Sequence, residues 1–172
     1  DCHHRGTGIL HTSQPIIIDI FPHIRATGYN GDCTRTICHG HIPDELARMH
    51  RAVLEAKNAA QEATKPGSSG EDVNRAAVDV IKEHGYSFGI AKDSDPDSHC
   101  TMAHGTGHGI GLDVHEPPLL DVNGPELIVG DVITIEPGLY CKAIGGLRIE
   151  DMVAVIKTGY ENFNTLPTGL HW

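Results

Sequence analysis

The sequence predicts an α+β fold. Three observations carry that prediction: two β-branched runs near the start, two amphipathic helical stretches in the middle, and three strand-like stretches after Phe88. Strands, then helices, then strands is the order of an α+β domain, whereas a parallel α/β sheet would alternate the two. At 172 residues the chain is one domain's worth, 1–172, long enough to bury a core without staples.

The first strand is expected at Pro15-Ile-Ile-Ile-Asp-Ile20, a β-branched run behind a proline, and the second at Thr34-Arg-Thr-Ile-Cys38, which alternates. Between them, Phe21 to Gly31 is rich in turn residues and reads as a hairpin-like connection. Pro43-Asp-Glu-Leu opens a helix that carries Leu46, Met49, Val53, Leu54 and Ala60 at helical spacing and should end by Lys65-Pro66-Gly67. Ser69-Gly-Glu-Asp starts a second helix, with acids in its first turn and Val73, Ala76, Ala77, Val80 and Ile81 on one face, stopped at His84-Gly85. The charges on both helices read as solvated faces. After a loop from Lys92 to Ser98, strands are expected around Ile110 to Val114, Asp131 to Ile135, and Leu147 to Ile156.

Composition excludes several classes of function. The apolar fraction of 39% and charged fraction of 21% are those of a globular protein, and no apolar run approaches the roughly 20 residues that cross a bilayer, so no membrane partner is expected. The 23 acidic and 13 basic residues give a formal charge of −10, with no Lys/Arg cluster to follow a phosphate backbone; nucleic acid is not an expected partner. Cys2, Cys33, Cys38, Cys100 and Cys141 are odd in number and irregular in spacing, which argues for reduced thiols in the cytoplasm. Asp1-Cys2-His3-His4-Arg5 has no signal-peptide pattern and no initiator Met, so an upstream extension is expected. Thirteen histidines, several beside glycines and carboxylates, hint at metal chemistry.

Four carboxylates and one histidine sit in or beside apolar strands: Asp19, Asp32, His108, Glu136 and Glu150. Asp19 follows three isoleucines, Glu136 ends Val132-Ile-Thr-Ile135, and Glu150 ends Leu147-Arg-Ile149. Any one of them could be a strand-end acid paired with a base, as Glu150 with Arg148 or Lys142. Together they would need four separate cations on apolar strands in a chain poor in Lys and Arg, whereas divalent metal answers all four. Oxygen-rich donors with one imidazole suit Mn, Co, Fe or Zn, and bridging carboxylates suggest two ions about 3.5–4 Å apart. His104-Gly-Thr-Gly-His108-Gly-Ile-Gly111 places four glycines around two histidines, where the backbone can approach a ligand or take positive φ. His115 follows in Val114-His-Glu-Pro-Pro118.

These residues resemble the pita-bread metallopeptidases, the family of methionine aminopeptidase, prolidase and aminopeptidase P, over nearly the whole chain. Ile18-Asp19 and Gly31-Asp32-Cys-Thr-Arg-Thr36 are similar to the two aspartate motifs. His104 to Glu116 is similar to the histidine motif, and Thr134-Ile-Glu136-Pro-Gly-Leu-Tyr140 with Arg148-Ile-Glu150-Asp151 complete the set. The resemblance implies a creatinase/aminopeptidase-like curved antiparallel sheet with helices on its outer face, the chain forming the C-terminal larger part of one catalytic domain. It further implies that Asp32 and Glu150 bridge two metals, that His108 and Glu136 complete one ion, and that Asp19 chelates the other. His115 resembles the family's histidine at the substrate carbonyl, and His4 falls where another substrate-binding histidine stands. Arg148 joins this substrate set, with the role of orienting Glu150.

Within the family the motifs resemble the Xaa-Pro branch more than methionine aminopeptidase. The chain departs from the pattern in two ways: its aspartates are 13 apart, and much of the first half of the duplicated fold is missing. The implied activity is two-metal hydrolysis, Mn or Co first and Zn or Fe as alternatives. Glu136 would shuttle the proton, and His115 with His104 would stabilise the charged carbonyl oxygen. A peptide is the expected partner, and a homodimer an open one. The alternatives are a methionine aminopeptidase-like enzyme, a non-catalytic peptide-binding module of the same fold, or a metal-free creatinase-like member.

Overall fold

A computed structural model describes residues 6–171. His4, one of the expected substrate contacts, lies outside the described residues. β1 (Pro15–Ile20) and β2 (Cys33–Cys38) pair antiparallel with Asp19 opposite Thr34. Directly opposed residues share a face and alternate residues return to it, so Asp19, Thr34 and Asp32 point to one side. The connection between the strands closes as expected, through an His23–Asn30 bridge and the Gly31 N–H bonded to the Pro22 carbonyl at 2.8 Å.

α1 (Asp44–Ala63) opens after Pro43 and carries Asp44 and Glu45 in its first turn, where the helix dipole favours acids. α2 (Gly70–Glu83) opens on a capping box: the Ser69 hydroxyl accepts from the Asp72 N–H at 3.0 Å, and the Asp72 carboxylate accepts from the Ser69 N–H at 2.9 Å. Gly85, at φ +84°, supplies the left-handed residue that lets the chain leave α2. Among the described residues, no helix is long and apolar enough to cross a membrane.

Two sheets follow. One has the order β11 (Gly159–Asn162), β10 (Asp151–Ile156), β7 (Val132–Ile135), β5 (Gly107–Gly109), β6 (Glu116–Leu120), with antiparallel pairings. The other runs β3 (Ser87–Phe88), β4 (Cys100–Met102), β8 (Gly138–Cys141), β9 (Gly145–Arg148), with β3 and β4 parallel and the rest antiparallel. The helices pack on each other and on these sheets, and Leu46, Met49, Ile81, Ile133, Leu139 and Leu147 fill the core between them.

The structure corrects four expectations. Residues 110–114 are not a strand: β5 ends at Gly109, and the chain turns there, with the Gly111 N–H on the Asp113 carbonyl and the Glu116 carboxylate on the Asp113 N–H. Leu147–Ile156 is two strands in different sheets, parted at Ile149 and Glu150. The glycines of the histidine motif take no positive φ. A Cβ at Gly107 would stand 2.0 Å from the Thr134 carbonyl oxygen and one at Gly109 2.3 Å from that of Pro117, so they admit neighbouring backbone rather than a ligand. Finally, not every helix charge is solvated: Lys57 is 4% exposed and sits on the buried face of α1, bonded to Asp151.

Candidate metal centre

The two glutamates occupy equivalent places. Glu136 lies where the chain passes from β7 in the five-stranded sheet to β8 in the four-stranded one, and Glu150 where it returns from β9 to β10. Each is held there by backbone distant in sequence, the Glu136 N–H on the Thr106 carbonyl at 2.7 Å and the Glu150 N–H on the Thr34 carbonyl at 3.0 Å. Asp32 immediately precedes β2, and His108 is the middle residue of β5.

Asp32, His108 and Glu150 each offer one donor atom within 4.8 Å of the other two, and all three are buried. Glu136 adjoins them, its Oε1 3.2 Å from His108 Nε2. The Thr34 hydroxyl donates to Glu150 Oε2 at 2.6 Å and so sets the angle of that carboxylate. His108 Nδ1 faces the Gly109 carbonyl at 3.0 Å, where it can only donate, which turns Nε2 toward the carboxylates, 3.2 Å from Glu136 Oε1.

Asp19 is set apart from this group by Arg148, whose Nη2 donates to its Oδ2 at 2.7 Å. The same buried guanidinium donates to the Tyr140 hydroxyl at 3.0 Å, and its Nε lies 3.6 Å from Glu136 Oε2. Arg148 therefore braces Asp19 and Tyr140, and it reaches the carboxylate of Glu150 through the Thr34 hydroxyl, which its Nε approaches at 3.4 Å. His104 bonds the Tyr140 hydroxyl through Nε2 and the Gly105 carbonyl through Nδ1, each at 2.7 Å. His115 is exposed, with its ring edge-on to that of His108 at 4.2 Å. A cavity of about 1210 Å³ is lined by Asp19, Asp32, His108, His115, Glu136 and Glu150, with Ile17, Phe21, Ile90 and Val114 among its apolar walls.

The electrostatics describe a site short of positive charge. Burial, followed by the charges of Asp19 and Glu136, pushes the Asp32 carboxyl up to about 6. Burial and the charges of Glu136 and Asp32 push Glu150 well above the usual carboxylate range. Burial works against a charged His108, yet its hydrogen bonds to the Glu136 carboxylate and the Gly109 carbonyl, with the charges of Glu136 and Asp32, together outweigh it and raise its pKa. Burial likewise works against ionised Glu136, but the bond to His108 and the charges of His104, His108 and Arg148 hold it below its ordinary value. Asp32 Oδ1 is buried with no hydrogen-bond partner among the described residues. A buried orphan acceptor among mutually repelling carboxylates, beside one imidazole, is a donor set that fits a divalent cation.

The sequence reading missed Thr34, Tyr140 and Arg35 as supports of the site, and Lys57 as a buried partner of Asp151. Lys57 carried a usable signal, since it stands four residues after Val53 and three before Ala60, within the apolar stripe of α1. Thr34 and Tyr140 carried none, because their roles arise from contacts across 116 and 36 residues of sequence.

Comparisons with known proteins agree with this geometry. Residues 1–157 match the model of metallopeptidase family M24. The Xaa-Pro dipeptidase of Pyrococcus furiosus is 39% identical over 132 residues, which are 76% of this chain and 34% of that protein. Among solved structures, dipeptidase PepE from Mycobacterium ulcerans superposes with a TM-score of 0.86 at 32% identity, over 99% of this chain and 43% of its own. The prolidase from Pyrococcus horikoshii OT3 gives 0.81 at 33% identity, over 94% and 43%. The chain thus spans well under half the length of the relatives it matches, and its α+β architecture is part of their pita-bread fold. A family match over nine-tenths of the sequence, on a chain whose acids and histidine converge as a metal site would need, means that the chain belongs to metallopeptidase family M24.

Proposed function

We propose that residues 1–172 form the C-terminal larger part of a catalytic domain that hydrolyses the N-terminal peptide bond of Xaa-Pro peptides with two divalent metal ions. The observation that carries this reading is the convergence of Asp32, His108 and Glu150, with a buried acceptor oxygen left unbonded, on the wall of a cavity large enough for a short peptide. The Xaa-Pro dipeptidase and prolidase among its relatives point to the bond cleaved.

In this reading Asp19, Asp32, His108, Glu136 and Glu150 would hold the ions; Mn or Co is the proposed metal, with Zn or Fe as alternatives. Bound ions supply Lewis acidity and a hydrolytic water of lowered pKa. The protein groups do the rest. Glu136, kept ionised by His108 and Arg148, accepts the proton of the attacking water and returns it to the leaving nitrogen. That delivery matters for proline, whose imide nitrogen has no proton of its own. His115 donates to the carbonyl oxygen as charge gathers there, a contribution on the order of 2.7–4 kcal/mol for such a donor. His104 acts through the Tyr140 hydroxyl, which borders the cavity. His4 and His115 contact the substrate, while Arg148 serves it indirectly by fixing Asp19 and Tyr140.

The test is a competition assay on the full-length protein with Mn²⁺ or Co²⁺ present: equal amounts of an Xaa-Pro peptide and a Met-Ala peptide, with each released amino acid measured. Preferential release from the Xaa-Pro peptide is expected. Preferential release of methionine would overturn the specificity, and no release by metal-loaded protein would overturn the enzymatic reading.

A further inference from the structure

We propose that Arg35 is a positioning residue of the metal cluster, coupling the docking of segment 166–170 to the placement of Glu150. The inference rests on the metal-site reading of Glu150 and adds a residue that touches neither metal nor substrate.

Arg35 is 3% exposed, and all five of its N–H groups have acceptors. Nε donates to the Pro167 carbonyl at 2.9 Å. Nη1 donates to the carbonyls of Thr34 at 2.8 Å and Glu150 at 2.5 Å, and Nη2 to Asp151 Oδ1 at 2.7 Å and the Leu166 carbonyl at 3.2 Å. A planar fork with five fixed donors is what reaches these acceptors together; an ammonium has three donors and no fork.

The consequence falls on Glu150. Its N–H is held by the Thr34 carbonyl, its carbonyl by Arg35, and its carboxylate by the Thr34 hydroxyl, so the Thr34-Arg35 pair fixes it at three points. This matters because Glu150 sits where the chain changes sheets and has no ladder partner of its own. Arg35 is fixed in turn from the far side. Segment 166–170 is tied down by the His50 ring on the Thr168 carbonyl at 2.7 Å, by the Cys38 N–H on the Leu170 carbonyl at 2.9 Å, and by the buried Leu170 side chain. Asp151 neutralises Arg35 and is shared with Lys57, which bonds Asp151 but neither Glu150 nor Thr34. Lys57 is therefore the internal control: an equally buried cation on the same carboxylate, without the link to the cluster.

The experiment compares wild type, Arg35→Lys and Lys57→Met. Co²⁺ dissociation constants are measured by chelator competition, coordination by the visible absorption of bound Co²⁺, and stability by the melting temperature of metal-free protein. Arg35→Lys is expected to weaken Co²⁺ binding about 10–100-fold, the range for groups that orient metal ligands, and to change the Co²⁺ spectrum. Lys57→Met is expected to lower the melting temperature while leaving affinity and spectrum unchanged. Equal effects of the two variants on affinity, or unchanged affinity and spectrum in Arg35→Lys, would overturn the proposal. Should Arg35→Lys not fold, Pro167→Gly at an exposed position loosens the carbonyls that anchor the guanidinium. Weaker Co²⁺ binding in it is then expected, and unchanged binding overturns the proposal. Wild-type protein that binds no Co²⁺ would instead overturn the metal-site reading itself.

Discussion

Replacing Asp32 by Asn should stabilise the metal-free protein while abolishing its response to metal. The folded chain raises the Asp32 carboxyl from its ordinary 3.8 to about 6, through burial and the neighbouring charges of Asp19 and Glu136. A carboxyl with a raised pKa binds its proton more tightly folded than unfolded, so stability falls as pH climbs through the window from 3.8 to about 6 and the full penalty stands above it. At about 1.4 kcal/mol for each pKa step of one, that penalty is about 3 kcal/mol at neutral pH. Asparagine keeps the shape and removes the charge, though its amide remains a buried polar group, so a gain of about 1–3 kcal/mol is expected at pH 7.5. The gain should fade as pH falls toward 4, where Asp32 is protonated in the folded wild type. Urea unfolding of chelator-treated wild type and variant from pH 4 to 8 measures it. With excess Mn²⁺ or Co²⁺ the order should reverse, since only the wild type gains stability from tight binding. A variant no more stable than wild type at pH 7.5, or a gain undiminished at pH 4, would refute the reasoning.

Two further outcomes follow from the same geometry. Gly107→Ala would drive a Cβ to 2.0 Å from the Thr134 carbonyl oxygen, a clash with backbone, so a loss of about 3 kcal/mol or more is expected in urea unfolding; a loss within the scatter of surface substitutions would show that β5 and β7 do not need so close an approach. His115→Ala should retain wild-type metal content while kcat falls on the order of 10²–10³-fold, because His115 is assigned to the carbonyl oxygen and not to the ions; lost metal at unchanged turnover per bound pair would reverse that assignment.

The two helices were legible because their signals are local: a proline followed by acids at Pro43, acids in the first turn after Ser69, and apolar positions at helical spacing. β1 and β2 were legible for the same reason, as were the acids at apolar strand ends. What escaped depends on partners distant in sequence. Nothing within Leu147-Arg-Ile-Glu-Asp-Met-Val announces that the chain leaves one sheet at Arg148 and joins another at Asp151, since both halves are apolar and β-prone. The alternation of glycine in the histidine motif suggested a ligand loop, whereas the strands on either side of β5 impose the need for it. Arg148 stood two residues from Glu150 and was read as its partner, but β9 ends at Arg148 and Glu150 lies in the crossing to β10, so the guanidinium reaches Asp19 across 129 residues of sequence and meets Glu150 through the Thr34 hydroxyl.

The placement of Glu136 and Glu150 at the two crossings between sheets explains how a site so unfavourable without cations can be rigid. Within a strand a side chain faces either core or solvent, and a carboxylate in the core would lose both water and partner. At a crossing the backbone leaves its ladder and can turn the side chain into the groove between sheets, provided its own N–H and carbonyl find other partners. Thr106 accepts the Glu136 N–H, Thr34 accepts the Glu150 N–H, and Arg35 donates to the Glu150 carbonyl. The repulsion that raises Asp32 and Glu150 is thereby confined to side chains, while every backbone bond around them favours the same geometry. A binding site can hold such local conflict because the surrounding fold over-determines it. The conflict has a direction: the arrangement is least stable with its acids ionised and unpaired, and gains most from the charge of a dication, so affinity for metal and instability without it have one origin in Asp32 and Glu150.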